Sequence, residues 1–150
     1  MLMPTKILVP TDFSEYSDKA LAQALDIAKQ YDAKVFLLNV IHEELYSLGE
    51  GFALGLSQEV LQQIVDLPRD KAEENLRIQL NKFLQAKEVK VATNIRQGVP
   101  YEEILKEAKE KAIDLIVIAS LGRSGIAKYL IGGVARNVLR GSQCPVLLTK

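Results

Sequence analysis

The sequence predicts an α/β domain, a parallel sheet with helices on both faces. Three observations predict it. Apolar runs and helical periods alternate along the chain as β-α-β-α-β-α-β-α-β, the pattern of strands joined by crossover helices. The first, second and fourth runs (residues 6–9, 35–41 and 114–119) are almost wholly apolar, as strands buried on both faces must be. The stretch 114–134 passes from such a run, through a loop with Gly122 and Gly125, to a helix start at Gly132 and Gly133. A strand, a glycine-containing loop and a helix N-terminus together form a recurrent anion cradle, because backbone amides and the positive end of the helix dipole point the same way.

In chain order, the first strand is closed by Pro10, and Thr11, Asp12, Phe13 and Ser14 form a turn. Ser14 or Ser17 can cap the first helix, with Glu15 and Asp18 in its first turn. Ala20, Leu21, Ala24, Leu25, Ile27 and Ala28 define its buried face. The second strand, 35–41, is interrupted only by Asn39. Residues 42–56 mix acidic, glycine and apolar positions and read as a long loop, of the kind that is often functional. Ser57 caps a helix that Pro68 is expected to kink or break. The helix then resumes over 69–86, with Ala72, Leu76, Leu80, Phe83 and Leu84 inward.

Residues 89–95 alternate, which suits an edge strand with one wetter face. Pro100 opens the next helix. Ile104, Leu105, Ala108 and Ala112 face inward there, and Glu102, Glu103, Lys106, Glu107, Lys109, Glu110 and Lys111 read as a solvated face. The last helix, 132–140, carries Val134, Ala135, Val138 and Leu139 as its apolar set and ends at Gly141. A fifth strand, 144–149, closes the chain as a second edge.

The length of 150 residues suits one domain, 1–150. Lys plus Arg and Asp plus Glu are equal at 19 each, so neither bulk nucleic acid nor an anionic membrane is the expected partner. One cysteine rules out an internal disulfide and fits a reducing compartment. No signal-peptide pattern and no apolar run near the roughly 18 residues of a membrane span is present, so the expectation is a cytoplasmic protein. His42 reads as exposed, Glu43 and Glu44 as solvated, and Cys144 as a small buried hydrophobe. No CxxC pair, H-E-x-x-H or nucleophile–His pair stands in the chain, so no acid–base constellation emerges and an enzyme is not expected.

The glycine spacing excludes a P-loop and a G-x-G-x-x-G fingerprint. What stands instead is Gly122, nine residues, then Gly132. The segments Ser120-Leu-Gly-Arg-Ser-Gly, Tyr129-Leu-Ile-Gly-Gly-Val, Cys144-Pro-Val-Leu and Lys6-Ile-Leu-Val-Pro-Thr-Asp-Phe-Ser resemble the universal stress protein family, whose nucleotide-binding members carry G-x-x-G, nine residues, then G-[ST]. The resemblance covers nearly the whole chain. It implies a five-stranded parallel sheet of order 3-2-1-4-5, in the three-layer sandwich of the adenine nucleotide α-hydrolase type. In such a sheet, ligands bind beyond the strand ends where the order reverses, between the first and fourth strands.

The resemblance implies a nucleotide site of Pro10, Thr11, Asp12, Val40, Ala119, Gly122, Arg123, Gly132, Gly133 and Val134. Asp12 would accept from adenine or ribose, Val40 would pack on the base, and the glycines would admit phosphates. The implied ligand is ATP, or AMP or ADP, with Mg on the phosphates, in a regulatory or sensor module of the stress response. It further implies a homodimer through Pro145, Val146, Leu147 and Leu148, which fits an apolar edge strand in need of cover. Two positions depart from the family pattern: its first motif glycine falls at Ala119, and its Ser or Thr after the last glycine is Gly133. They motivate the alternative, a nucleotide-free homodimeric interaction protein of the same fold. A weak ATPase is the third reading.

Overall fold

The computed structural model describes residues 3–42, 55, 57–122 and 131–150. Five strands, β1 (Lys6–Pro10), β2 (Lys34–His42), β3 (Val91–Gly98), β4 (Leu115–Ala119) and β5 (Val146–Thr149), form one sheet of order β3-β2-β1-β4-β5. Every pairing is parallel. The continuous apolar runs have a direct cause. Alternate residues feed two separate cores: Ile7, Val9, Val35, Leu37, Leu115 and Val117 enter one, and Leu8, Leu38, Ile116 and Ile118 enter the other. A strand between two helical layers has no wet side on which to place polar residues.

The first core is closed by α1 (Glu15–Tyr31) and α2 (Gln58–Asn81), through Ala20, Leu21, Ala24, Leu25, Ala72 and Leu76. The second is closed by α3 (Pro100–Glu110) and α4 (Gly133–Gly141), through Ile104, Ala135 and Val138. Ser14 caps α1 by accepting from the Ser17 amide, and Asp32 ends it in the left-handed region at φ 55°. Asp114 anchors the entry to β1 by accepting from the amides of Thr5 and Lys6. Both predicted edges, β3 and β5, are edges.

Several expectations are corrected. Pro68 does not break its helix: α2 runs unbroken over Gln58–Asn81 with Pro68 inside. A proline there forfeits one backbone bond, a loss that a helix of 24 residues with its other bonds intact can carry. A 3₁₀ turn, Leu84–Lys87, follows α2, and Leu84 points out at 79% exposure. The third strand starts later and runs further than its alternation suggested, to Gly98. Glu103 and Glu107 are buried, not solvated, because Arg96 and Asn94 of β3 reach them. Ala112 lies beyond α3, exposed and at φ 52°. Val134 and Leu139 are about two-fifths exposed, so the buried stripe of α4 is Ala135 and Val138 alone. The predicted loop over 42–56 lies outside the described residues, apart from His42 and Gly55.

Candidate functional site

β1 and β4 are neighbours in the sheet, and their crossovers leave in opposite directions, to β2 and to β5. Their carboxyl ends therefore part and leave a crevice between the chain after Pro10 and the chain after Ala119. Thr11 fixes the first wall. Its amide donates to the Leu38 carbonyl at 2.8 Å, and its carbonyl accepts from Asn39 Nδ2 at 2.9 Å. The Thr11 hydroxyl lies 2.8 Å from Gln79 Oε1 and 3.0 Å from Ser17 Oγ, and accepts from the Phe13 amide at 3.0 Å. Phe13 sits at φ 65°, an uncommon region for a bulky residue, and this hydrogen bonding holds it there. Asp12 Oδ1 accepts from the Ser14 amide at 2.9 Å, while a Cβ built on Gly122 would stand 3.0 Å from Asp12 Oδ2. The carboxylate thus spans the gap from the β1 turn to the glycine loop.

The second wall is the start of α4. The Gly132 amide donates to the Ser120 carbonyl at 2.7 Å, which folds the chain back on itself and sets the helix start beside the end of β4. A Cβ on Gly132 would meet that same carbonyl at 3.2 Å, so the close return favours glycine. The Gly132 amide is spent in this contact. The amides that a helix start leaves without carbonyl partners belong instead to the first turn, at Gly133, Val134 and Ala135. Gly132 provides no side-chain cap, and among the described residues a Cβ on Gly133 would meet nothing within 4 Å.

The crevice holds about 260 Å³ of solvent-accessible space. Pro10, Thr11, Asp12, Val40, Ala119, Gly122, Gly132, Gly133 and Val134 all line it, so the structure brings together the predicted residues it describes. Arg123 lies outside the described residues. Leu38, Val40, Pro100, Ile104 and Ile118 make one side apolar, and the start of α4 makes another rich in backbone amides. Sequence reasoning missed Asn39 and Gln79 as supports of the site. Asn39 carried a signal, as the one polar break in an apolar strand; Gln79 carried none, since a polar residue in a helix is ordinary.

The profile of the universal stress protein family matches residues 3–150. The chain belongs to this family. A universal stress protein of Methanocaldococcus jannaschii, MJ0531, is 34% identical over 146 residues, which cover 97% of this chain and 81% of that one. The solved structure of a second protein of that organism, MJ0577, superposes with a TM-score of 0.81 at 30% identity, covering 99% of this chain and 97% of the other. A universal stress protein solved in complex with cAMP shares the fold, with a TM-score of 0.67 at 23% identity over 99% of this chain and 98% of that one. No helix among the described residues is long and apolar enough to cross a membrane.

Proposed function

We propose that the crevice binds an adenine nucleotide, ATP in the first instance, and that the protein is a regulatory binding module rather than an efficient enzyme. One observation carries this reading: the N-terminal turn of α4, Gly132 to Ala135, opens onto the crevice, and among the described residues it has no capping side chain and clear space at Gly133. Anionic oxygens placed there meet amides for which the helix itself supplies no acceptor, and the positive end of the helix dipole, a favourable term of about 0.3–1 kcal/mol where exposed. The apolar side, with Val40 and Leu38, suits an adenine ring, and Asp12 between the two walls suits a ribose hydroxyl or the adenine amino group. The family member solved with cAMP supports the ligand class. A Mg ion, where present, would be held mainly by the phosphates.

The same reading includes a homodimer through β5. Among the described residues that strand pairs with β4 alone, lies at the sheet edge and leaves Leu147 37% exposed. A second copy adding its own β5 would satisfy the open edge. The rival reading, an interaction protein without nucleotide, is favoured by Ala119 and Gly133. The first adds a methyl group at the end of β4, and the second lacks a hydroxyl donor. Native mass spectrometry of protein purified without added nucleotide, then with ATP, separates the two. A dimer that carries one ATP per chain is the expected result. A dimer that stays empty after ATP is added contradicts the nucleotide reading.

A further inference from the structure

The amide of Gln79 is 2% exposed, on a helix whose neighbouring buried positions, Ala72 and Leu76, are apolar. Burying a primary amide is costly unless its polar atoms are paired. Here both are. Gln79 Oε1 accepts from the Thr11 hydroxyl at 2.8 Å, and Nε2 donates to Asp18 Oδ1 at 2.8 Å, with Ser17 Oγ at 3.4 Å. Close by in the chain, Lys82 Nζ stands 2.9 Å from Asp18 Oδ2. The C-terminal end of α2 therefore grips the β1–α1 turn, 68 residues away in sequence, by way of polar groups. Thr11 and Ser17 are at once partners of Gln79 and walls of the crevice.

We infer that Gln79 is a positioning residue of the nucleotide crevice, acting through the Thr11 hydroxyl to set the turn that carries Asp12. The inference rests on the nucleotide reading above. A threonine hydroxyl has one proton and two lone pairs. With its proton turned to Gln79 Oε1, a lone pair is available to the Phe13 amide, and that contact holds Phe13 at φ 65°. Asp12 lies between Thr11 and Phe13, so its direction depends on both. Without the Gln79 acceptor the hydroxyl proton turns to Ser17 Oγ at 3.0 Å, the tie from α2 to Thr11 is lost, and the strained turn can relax away from Gly122. Coupling of this kind is reciprocal: what breaks the Gln79–Thr11 contact weakens ligand binding, and the ligand in turn steadies that contact.

The test is calorimetric titration of ATP into the full chain and four variants. Gln79→Met and Thr11→Val are each expected to bind ATP about tenfold more weakly, the scale of one lost hydrogen bond to a site group. Because they act along one line, the double variant is expected to bind no worse than either single. Leu76→Ala, on the same helix and equally buried, is expected to lower Tm by more than Gln79→Met while keeping the wild-type Kd. If Gln79→Met folds poorly, Gln79→Ala keeps the helix and gives the same tenfold loss. Wild-type affinity in the Gln79 variant, or losses that add in the double, overturns the positioning role and leaves the nucleotide reading intact. A wild type that does not bind ATP overturns both.

Discussion

Two buried polar clusters among the described residues of this sheet protein are built in opposite ways. The first, Thr11, Ser17 and Gln79, is neutral at its centre and lies under the crevice. The second joins Arg96 of β3 to Glu103, Glu107 and Glu110 of α3, at 2.8, 3.5 and 2.9 Å. Asn94 Nδ2 adds a bond to Glu107 Oε2 at 2.7 Å, yet Glu107 Oε1 is buried with no hydrogen-bond partner among the described residues. The neutral cluster pairs its amide fully and fixes a turn. The charged one clamps a helix to an edge strand and tolerates an orphaned oxygen. Polar burial thus serves geometry beside the site and attachment at the sheet edge.

Breaking the clamp gives the largest expected effect. Arg96→Met leaves the Glu107 carboxylate buried without a cation among the described residues and Glu103 with Lys106 alone, and chemical denaturation should show a loss of about 3–5 kcal/mol. ATP affinity should change less than it does in Gln79→Met. The reverse pattern, little loss of stability with a large loss of affinity, would erase the distinction between the clusters.

The pH response separates them next. Hydrogen bonds from Lys106 and then Arg96 hold the Glu103 carboxyl below its ordinary value of 4.5. A carboxyl depressed in the folded state adds stability that is fully present above its unfolded value and is lost as pH falls through the lower folded one. Tm followed from neutral to about pH 3 should therefore drop in the wild type, and drop less in Glu103→Gln. Gln79→Met should keep the wild-type acid limb, since that amide does not titrate.

The smallest effect concerns the crevice itself. Gly133→Ser adds a hydroxyl donor where the Cβ has clear space. ATP should bind a few-fold more tightly, in line with about 0.5–1.5 kcal/mol for one such bond. Unchanged affinity would mean that the phosphates lie elsewhere.

Much of this architecture was legible in the sequence, for physical reasons. Strands covered on both faces must be continuously apolar, so β1, β2 and β4 stood out. The alternating β3 read as an edge, and the glycines around β4 marked the crevice. The charged clamp was not legible. Glu103 and Glu107 follow the outward period of an amphipathic helix, and only the return of Arg96 from another element makes their burial tolerable. Gln79 was hidden in the same way, since its partners Thr11 and Asp18 are distant in sequence. Pro68 misled because local rules weigh the one lost hydrogen bond but not the many that the rest of a 24-residue helix retains. Leu84 misled because the helical period was carried past Asn81, where the helix ends.

The most direct measurement is an ATP titration of the wild type beside Gly133→Asp. The new side chain's Cβ meets no atom within 4 Å among the described residues, and its carboxylate sits at a helix N-terminus, where a negative charge stabilises the fold by about 0.3–1 kcal/mol. The same charge would face the phosphates. The account predicts saturable binding by the wild type, and a variant with an equal or higher Tm that binds no ATP at millimolar concentration. A folded Gly133→Asp protein that binds ATP as tightly as the wild type would contradict it.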